Sequence, residues 1–309
     1  MALSLKQLKY FVALAEARSF GQAASMVHIT QPALSQQIKE MEAGLGISLL
    51  ERLPRGIRLT RAGHDVLERA RVVLADVRDI ERSARLQTGL TGRLMLGVIP
   101  TIAPYLLPQA LTRIRARDLT LELRVREAQT SVLLQELAEG HIDAAVVSLP
   151  VSHPGLVSET LFTDRFILAG STERLAAWQR NKSVLRPDLV PKEQLLLLDE
   201  GHCLADQALD VCSMDRQRQI DLGASSLATL TGLVAQGFGL TLLPEISLRT
   251  ESTAPGLALV RFYTPEPYRT IALVRRASSA DDGWMGELAQ ILKDAGAELI
   301  EFSRKNCGR

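Results

Sequence analysis

At 309 residues, 46% hydrophobic and 23% charged, the chain has the makeup of a globular protein of two or three domains and not of a disordered one. No apolar run approaches the ~20 residues of a membrane helix. The opening MALSLKQLKYF also lacks the basic start and apolar block of a secretory signal, so a cytoplasmic protein without a membrane partner is expected. The net charge of +1 hides an asymmetry. Residues 1–60 carry seven Lys/Arg against four Asp/Glu, about +3, which leaves the remainder near −2. That sign suits a small nucleic-acid-binding head on a neutral body. Three cysteines in a reducing compartment argue against a disulfide framework.

The first helix is predicted in LKQLKYFVALAEARS, with Leu5, Leu8, Phe11, Val12 and Ala15 on one face. Ser19 is placed to cap a short second helix carrying the small residues Ala23 and Ala24. VHIT then makes a tight connection. Thr30 is a good N-cap, and Pro32 fits the first turn of the next helix, where its missing N–H costs little. That helix is expected to bury Leu34, Ile38, Met41 and Leu45 and to expose Gln31, Pro32, Ser35, Gln36 and Lys39. Two helices, a short turn and a donor-rich outer face describe a helix-turn-helix reading double-stranded DNA. LLERLPRGIRLT reads as strand, turn, strand. This is a small wing whose Arg52, Arg55 and Arg58 would point cations at phosphates. A bare three-helix domain with solvated polar faces is the plainer alternative.

From about 62 to 87 one amphipathic helix is predicted, with Val66, Ala70, Val73, Val77 and Ile80 as its stripe. A second copy of the chain is the simplest partner for that stripe. From RLMLGVI onward strands alternate with helices through LELRVREA, TSVLLQELAEG, IDAAVVSL, FILAGS, QLLLLDE, IDLGAS, SLATLTGLVAQG, FGLTLLP, LALVRFY and RTIALVRR to a last helix near 284–300. Such alternation predicts two α/β subdomains with parallel sheets. Ligands of such folds sit at strand C-termini and helix N-termini. That puts Pro100, Thr101, Thr130, Ser131, Ser225 and Ser226 around a cleft, although each serves equally well as an ordinary N-cap.

AASMVHITQPALSQQIKEMEAGLGISLLER, the following LTRAG, the long helix and the α/β body together resemble the LysR-type transcriptional regulators, over essentially the whole chain up to about residue 302. Within that family GHCLADQALDVC, IPTIAPYLLP, EAQT, TLLP and EPYRTIALV are similar to the peroxide-responsive branch. The resemblance implies a winged helix-turn-helix over 1–60 and a linker helix over 61–90. It further implies a regulatory domain over 91–302, like a periplasmic binding protein, and a tail over 303–309. The regulatory subdomains would be 91–165 plus 269–302, and 166–268. It implies Cys203 as the peroxide-reacting thiol and Cys212 as its resolving partner. Thr101 and Thr130 would hold peroxide and water near the thiol, with His202 flanking it, Asp206 as a nearby polar group and Arg269 as a facing cation. The implied partners are promoter DNA, hydrogen peroxide, further copies of the chain up to a tetramer, a cellular dithiol reductant and RNA polymerase. No metal or cofactor is implied. Ala205 departs from the branch, whose segment usually reads GHCLRDQ.

Peroxide attacks a thiolate, so the reactive cysteine needs a stabilised anion and an open approach. Cys203 falls near a predicted helix N-terminus, which favours an anion, while Asp199, Glu200 and Asp206 oppose one. If 204–212 is helical, nine steps of ~1.5 Å part the two Cα atoms by about 13 Å, against the ~7 Å limit of a disulfide. The bond then requires the helix to unwind. Three rivals stay open at this point. One is a LysR-type regulator binding a small organic anion in the same cleft. Another is a metal-binding regulator using His202, Cys203 and Cys212, for which adjacent ligands are awkward and a fourth is not evident. The third is an enzyme, for which the sequence holds no nucleotide-binding glycine motif, triad or metal-ligand helix. Cys307, in the polar tail, reads as a bystander.

Overall fold

The computed structural model describes residues 3–53, 56–83, 93–117, 121–180, 185–199, 201, 203–212, 224–279 and 283–306. They fall into two compact units, the first essentially residues 1–85 and the second most of the rest.

In the first unit α1 (Leu5–Ala17), α2 (Phe20–Met26) and α3 (Gln31–Leu45) precede a two-stranded wing, β1 (Leu50–Leu53) and β2 (Gly56–Leu59), and the long α4 (Arg61–Ser83). Ser4 and Gln7 form a capping box on α1. Thr30 caps α3 by accepting from Ala33 N, whereas Ser19 makes no side-chain cap on α2. The turn between α2 and α3 is tight because His28 takes a left-handed backbone, φ +55°. The core gathers Leu8, Tyr10, Phe11, Leu14, Ala23, Ala24, Leu34, Ile38, Met41, Leu49, Ile57, Leu67, Ala70 and Leu74. Two expected core residues, Leu5 and Leu45, are exposed. They lie in the first and last turns of their helices, where the apolar stripe runs past the edge of the core. On α4 the chain buries Leu67, Ala70, Leu74 and Ala75, while Val72, Val73 and Ile80 face outward. Of the predicted stripe, Ala70 is buried, Val66 and Val77 are half-buried, and Val73 and Ile80 are left exposed.

Gly63 stands where α4 crosses the wing strand. A Cβ there would lie 2.1 Å from the Leu49 carbonyl oxygen. Thr60 fixes the crossing, accepting from Gly63 N and donating to Ser48 O. Gly63→Ala is expected to cost the head about 2–3 kcal/mol or more by overpacking against backbone that has nowhere to go. Thermal unfolding of the variant, with DNA affinity measured alongside, checks this.

In the second unit β3 (Arg93–Val98), α5 (Ala103–Arg117), β4 (Glu122–Glu127), α6 (Thr130–Ala138) and β5 (Ala144–Ser148) alternate as βαβ-type repeats. Then come β6 (Leu156–Ser171), α7 (Thr172–Arg180), α8 (Cys203–Val211), α9 (Leu227–Ala235), β7 (Leu240–Pro244), α10 (Leu248–Glu251), β8 (Leu257–Arg261), β9 (Tyr268–Arg276) and α11 (Trp284–Asn306). The sheet order is β4-β3-β5-β9-β6-β7, with β8 also on β6. Among the described strands, β3 pairs in parallel with β4 and with β5. The other strand pairs are antiparallel and the two isolated bridges parallel, so the expectation of parallel sheets is corrected to a mixed sheet. Apolar patterning identifies strands, but their direction is set by the connections.

The 16-residue β6 spans most of this sheet. Its first part, Leu156–Arg165, pairs with β9. Its last part, Phe166–Ser171, lies between β7 and β8. Strands β5 and β7, AAVVS and LTLLP, are buried at every position, and the Thr241 hydroxyl within β7 is satisfied by donating to Leu196 O. QLLLLDE, expected as a strand, makes only isolated bridges, Leu195 to Leu240 and Leu198 to Ala224. Most of IDLGAS lies outside the described residues. The last helix runs past the expected end near 300 to Asn306, with Ser303 buried. Cys307 is outside the described residues.

Candidate functional site

Helix α8 begins at Cys203, so the first thiol sits in the first turn. The preceding Gly201 takes φ +91°, and a Cβ there would lie 2.5 Å from the Gln129 amide. Glycine is therefore favoured by the backbone, while the Gln129 side chain could swing aside. Leu204, Ala205, Ala208 and Leu209 anchor the helix in the core. Ala205, the departure from the branch pattern, is thus a buried packing residue. Gln207 Nε2 donates to Ser148 Oγ at 2.7 Å, which ties α8 to the end of β5. Cys212 N still bonds Ala208 O, so helical geometry continues to the second thiol. Neither thiol is in a disulfide; Cys203 is half-buried and Cys212 buried.

Thr130, at the N-terminus of α6, donates from Oγ1 toward Cys203 Sγ at 3.6 Å. Ile99, Pro100, Thr101, Gln129, Thr130, Gly201 and Cys203 enclose no more than about 170 Å³ of empty space. Ordinary ligand pockets hold roughly 300–1,000 Å³. An organic effector has no room here.

Behind Thr101 stands a fully buried ion pair. Arg269, on β9, donates from Nη1 to Thr101 Oγ1 at 2.9 Å and from Nη2 to Thr101 O at 3.2 Å. Its Nε donates to Asp164 Oδ2 at 2.9 Å. Asp164, opposite it on β6, accepts at Oδ1 from Ile246 N. Because the Thr101 hydroxyl already accepts from Arg269, its own proton is left to donate elsewhere. Nearby in the same unit Tyr105 Oη donates to Glu251 Oε1 at 2.7 Å. Burial first, then that carboxylate, pushes the phenol well above its usual range, so it keeps its proton.

The structure thus brings Cys203, Thr101 and Thr130 together, with Arg269 one bond behind Thr101. Asp206 is on the exposed face of α8. Ser131, Ser225 and Ser226 are exposed, and Ser226 spends its hydroxyl capping α9. His202 lies outside the described residues. Asp164, Gln207 and Ser148 were missed from sequence. A lone aspartate inside the strand FTDRFILAG was the available signal for Asp164. Among the described residues no group of three or more His, Cys, Asp or Glu is placed to hold a metal.

In the head, Gln31, Pro32, Gln36 and Lys39 are exposed on α3 and Ser35 is half-buried. Gln36 Nε2 donates to Glu40 Oε1 at 2.8 Å. Arg58 donates twice to Glu51 Oε2 across the wing, at 3.0 and 2.6 Å, so in the free head its charge is directed at a neighbour. The Arg52 side chain and all of Arg55 lie outside the described residues.

The family models place both units. Residues 5–64 match the bacterial regulatory helix-turn-helix protein, lysR family, and residues 87–297 match the LysR substrate binding domain. The chain belongs to the LysR family of transcriptional regulators. Among its relatives, a probable hydrogen peroxide-inducible genes activator from Streptomyces viridosporus is 41% identical over 302 residues, 96% of this chain and 95% of that protein. Full-length OxyR from Pseudomonas aeruginosa, solved as a variant, is 31% identical with a TM-score of 0.70, covering 95% of this chain and 97% of that one. A peroxide-bound OxyR variant from Corynebacterium glutamicum is 35% identical with a TM-score of 0.62, covering 98% and 97%.

Proposed function

We propose that this regulator senses hydrogen peroxide through Cys203 and resolves the product with Cys212, and so controls oxidative-stress genes. The observation that carries the reading is the thiol enclosed with two threonine hydroxyls in a space too small for an organic effector. The Cys203 thiolate attacks one peroxide oxygen and the O–O bond breaks. Sulfur becomes a sulfenic acid, and the leaving hydroxide takes a proton and departs as water. Thr101, oriented by Arg269, donates to the peroxide, and Thr130 donates to the sulfur. The Cys212 thiol then displaces hydroxide from the sulfenic sulfur, giving a disulfide and a second water. A cellular dithiol resets the pair by exchange. His202 and Asp206 belong to this proposal as flanking polar groups.

The disulfide cannot form across an intact α8, so it traps a refolded segment. That changes how regulatory domains pack in a homo-oligomer, which we take to be a tetramer, and hence the spacing of heads on promoter DNA. The outward Val73 and Ile80 of α4 support self-association. RNA polymerase is the downstream partner. No helix among the described residues is long and apolar enough to cross a membrane, and a cytoplasmic setting fits the dithiol reset. The domains run 1–60, 61–90 and 91–302, with subdomains meeting where β6 changes partners near 165 and 166. The experiment is a stopped-flow titration of the reduced protein with peroxide, followed by footprinting of its promoter. Stoichiometric thiol loss with an altered footprint supports the reading. Freely alkylated thiols after peroxide refute it.

For DNA we assign base contacts to Gln31, Pro32, Ser35 and Gln36 on α3. Phosphate contacts go to Lys39 and, on the wing, Arg52, Arg55 and Arg58. Gln31→Ala is expected to cost about 1–3 kcal/mol at the specific site and little on random DNA. Lys39→Ala should weaken both and lower the salt slope by about one. Fluorescence anisotropy across a salt series separates the two.

A further inference from the structure

The regulatory unit contains a second, much wider cavity, about 750 Å³ in volume, whose lining includes Arg165, Arg261, Phe262, Tyr263, Glu266 and Arg304. None of these lines the thiol pocket. The volume is that of a site for a small organic molecule.

Its charges do not close on themselves. Glu245 is wholly buried and draws all three arginines. Its Oε1 lies 2.9 Å from Arg261 Nη2 and 3.6 Å from Arg304 Nε, and Ser303 Oγ is 3.4 Å away. Its Oε2 accepts no hydrogen bond from the described residues, and Arg165 Nη1 stands 4.0 Å from it. Glu266 meets Arg165 Nε at 3.0 Å and Arg261 Nη1 at 3.6 Å. Among the described residues, three guanidiniums therefore face the two carboxylates of this cluster, one positive charge more than negative. Arg304 is half exposed and reaches Glu245 only at that long distance, so its fork of donors is the one least committed. The cluster borders a cavity with the apolar walls Val260 and Phe262 and the exposed ring of Tyr263.

We propose that this cavity binds a small aromatic monocarboxylate. Its carboxylate is taken by the Arg304 fork and its ring lies against Tyr263 and Phe262. The guanidinium plane suits a carboxylate held by two parallel hydrogen bonds. A single negative charge matches the surplus, while a dianion such as phosphate would be opposed by Glu245 and Glu266. The ring is what a free inorganic anion lacks and what the apolar walls reward.

The test is calorimetric titration of the reduced full-length protein with phenylacetate, with acetate and inorganic phosphate as comparisons. Saturable binding of one phenylacetate per chain is expected, with acetate at least about tenfold weaker. Arg304→Gln should weaken phenylacetate about tenfold, as loss of one charge-assisted pair does. Tyr263→Ser should weaken it several-fold. Both side chains are exposed enough for the variants to fold, and unchanged melting curves would verify that. Absence of saturable binding up to about 10 mM, weaker than any useful pocket, overturns the proposal. So does undiminished binding to Arg304→Gln, or phosphate binding more tightly than phenylacetate.

Discussion

One equivalent of hydrogen peroxide should link Cys203 to Cys212 in the reduced protein, and a non-reducing peptide map should recover the pair as one peptide that dithiol splits. Cys203→Ser should bring peroxide consumption to background and abolish the DNA response. Cys212→Ser should react at the first thiol and stall as sulfenic acid, trapped by a dimedone-type probe, or pass on to sulfinic acid with excess peroxide. The structure attaches a spectroscopic cost to the wild-type reaction. The nine residues of α8 and the bond from Cys212 N to Ala208 O keep the sulfurs on one helix. Closing the bond must melt about two turns of it. Far-ultraviolet circular dichroism should lose that helix on oxidation in the wild type and keep it in Cys212→Ser. A disulfide formed with no helix lost would contradict the geometry.

The second large effect is expected at Asp164, which touches neither thiol. Arg269 is fully buried and does not shed its proton, so Asp164→Asn leaves an uncompensated charge in the core. Breaking such a pair from one side costs about 3–5 kcal/mol. For a unit of this size that lowers the melting midpoint by on the order of 10 °C. Arg269→Met should be milder in stability, because the orphaned Asp164 can take a proton and become neutral. Arg269→Met, however, deletes both bonds to Thr101, and Asp164→Asn weakens the carboxylate anchor that aims the guanidinium at it. Both should then slow oxidation of Cys203 by about ten- to a hundred-fold when measured well below their melting points, as expected for a donor displaced by about an ångström. A slowing that tracked stability alone would show Arg269 to be scaffolding and nothing more.

Much of this molecule is legible in its sequence, for reasons that differ from part to part. The head is readable because each signal is local. Thr30 caps α3, Pro32 follows in the first turn, and Leu34, Ile38 and Met41 recur at helical spacing. The thiol segment is readable from its likeness to the peroxide-responsive branch. The polar groups around it are harder, because they meet across 59 to 168 residues of chain. Arg269 and Thr101 were marked by resemblance, but the bond between them and the role of Asp164 depend on β6 lying beside β9. Helix α5 was not foreseen, since Pro108 sits inside it and argues for a break. Its neighbours Leu106 and Ala110 are buried, so packing holds the helix against local preference. Arg58 reads as a phosphate contact from its place in the wing, and the fold adds Glu51 across the strand pair, a partner that only register could reveal.

The burial of Cys212 also sets an upper limit to the sensor. With 1% of its surface exposed, the second thiol cannot meet the sulfenic acid until α8 opens, so the opening rate caps how fast the first oxidation is captured. A second peroxide arriving sooner takes the same sulfur to the sulfinic acid, which no dithiol restores. The packing that keeps the switch off at rest therefore defines a flux of oxidant above which the protein is consumed rather than switched. Loosening the helix would raise that ceiling and, by the same measure, make the resting protein leak.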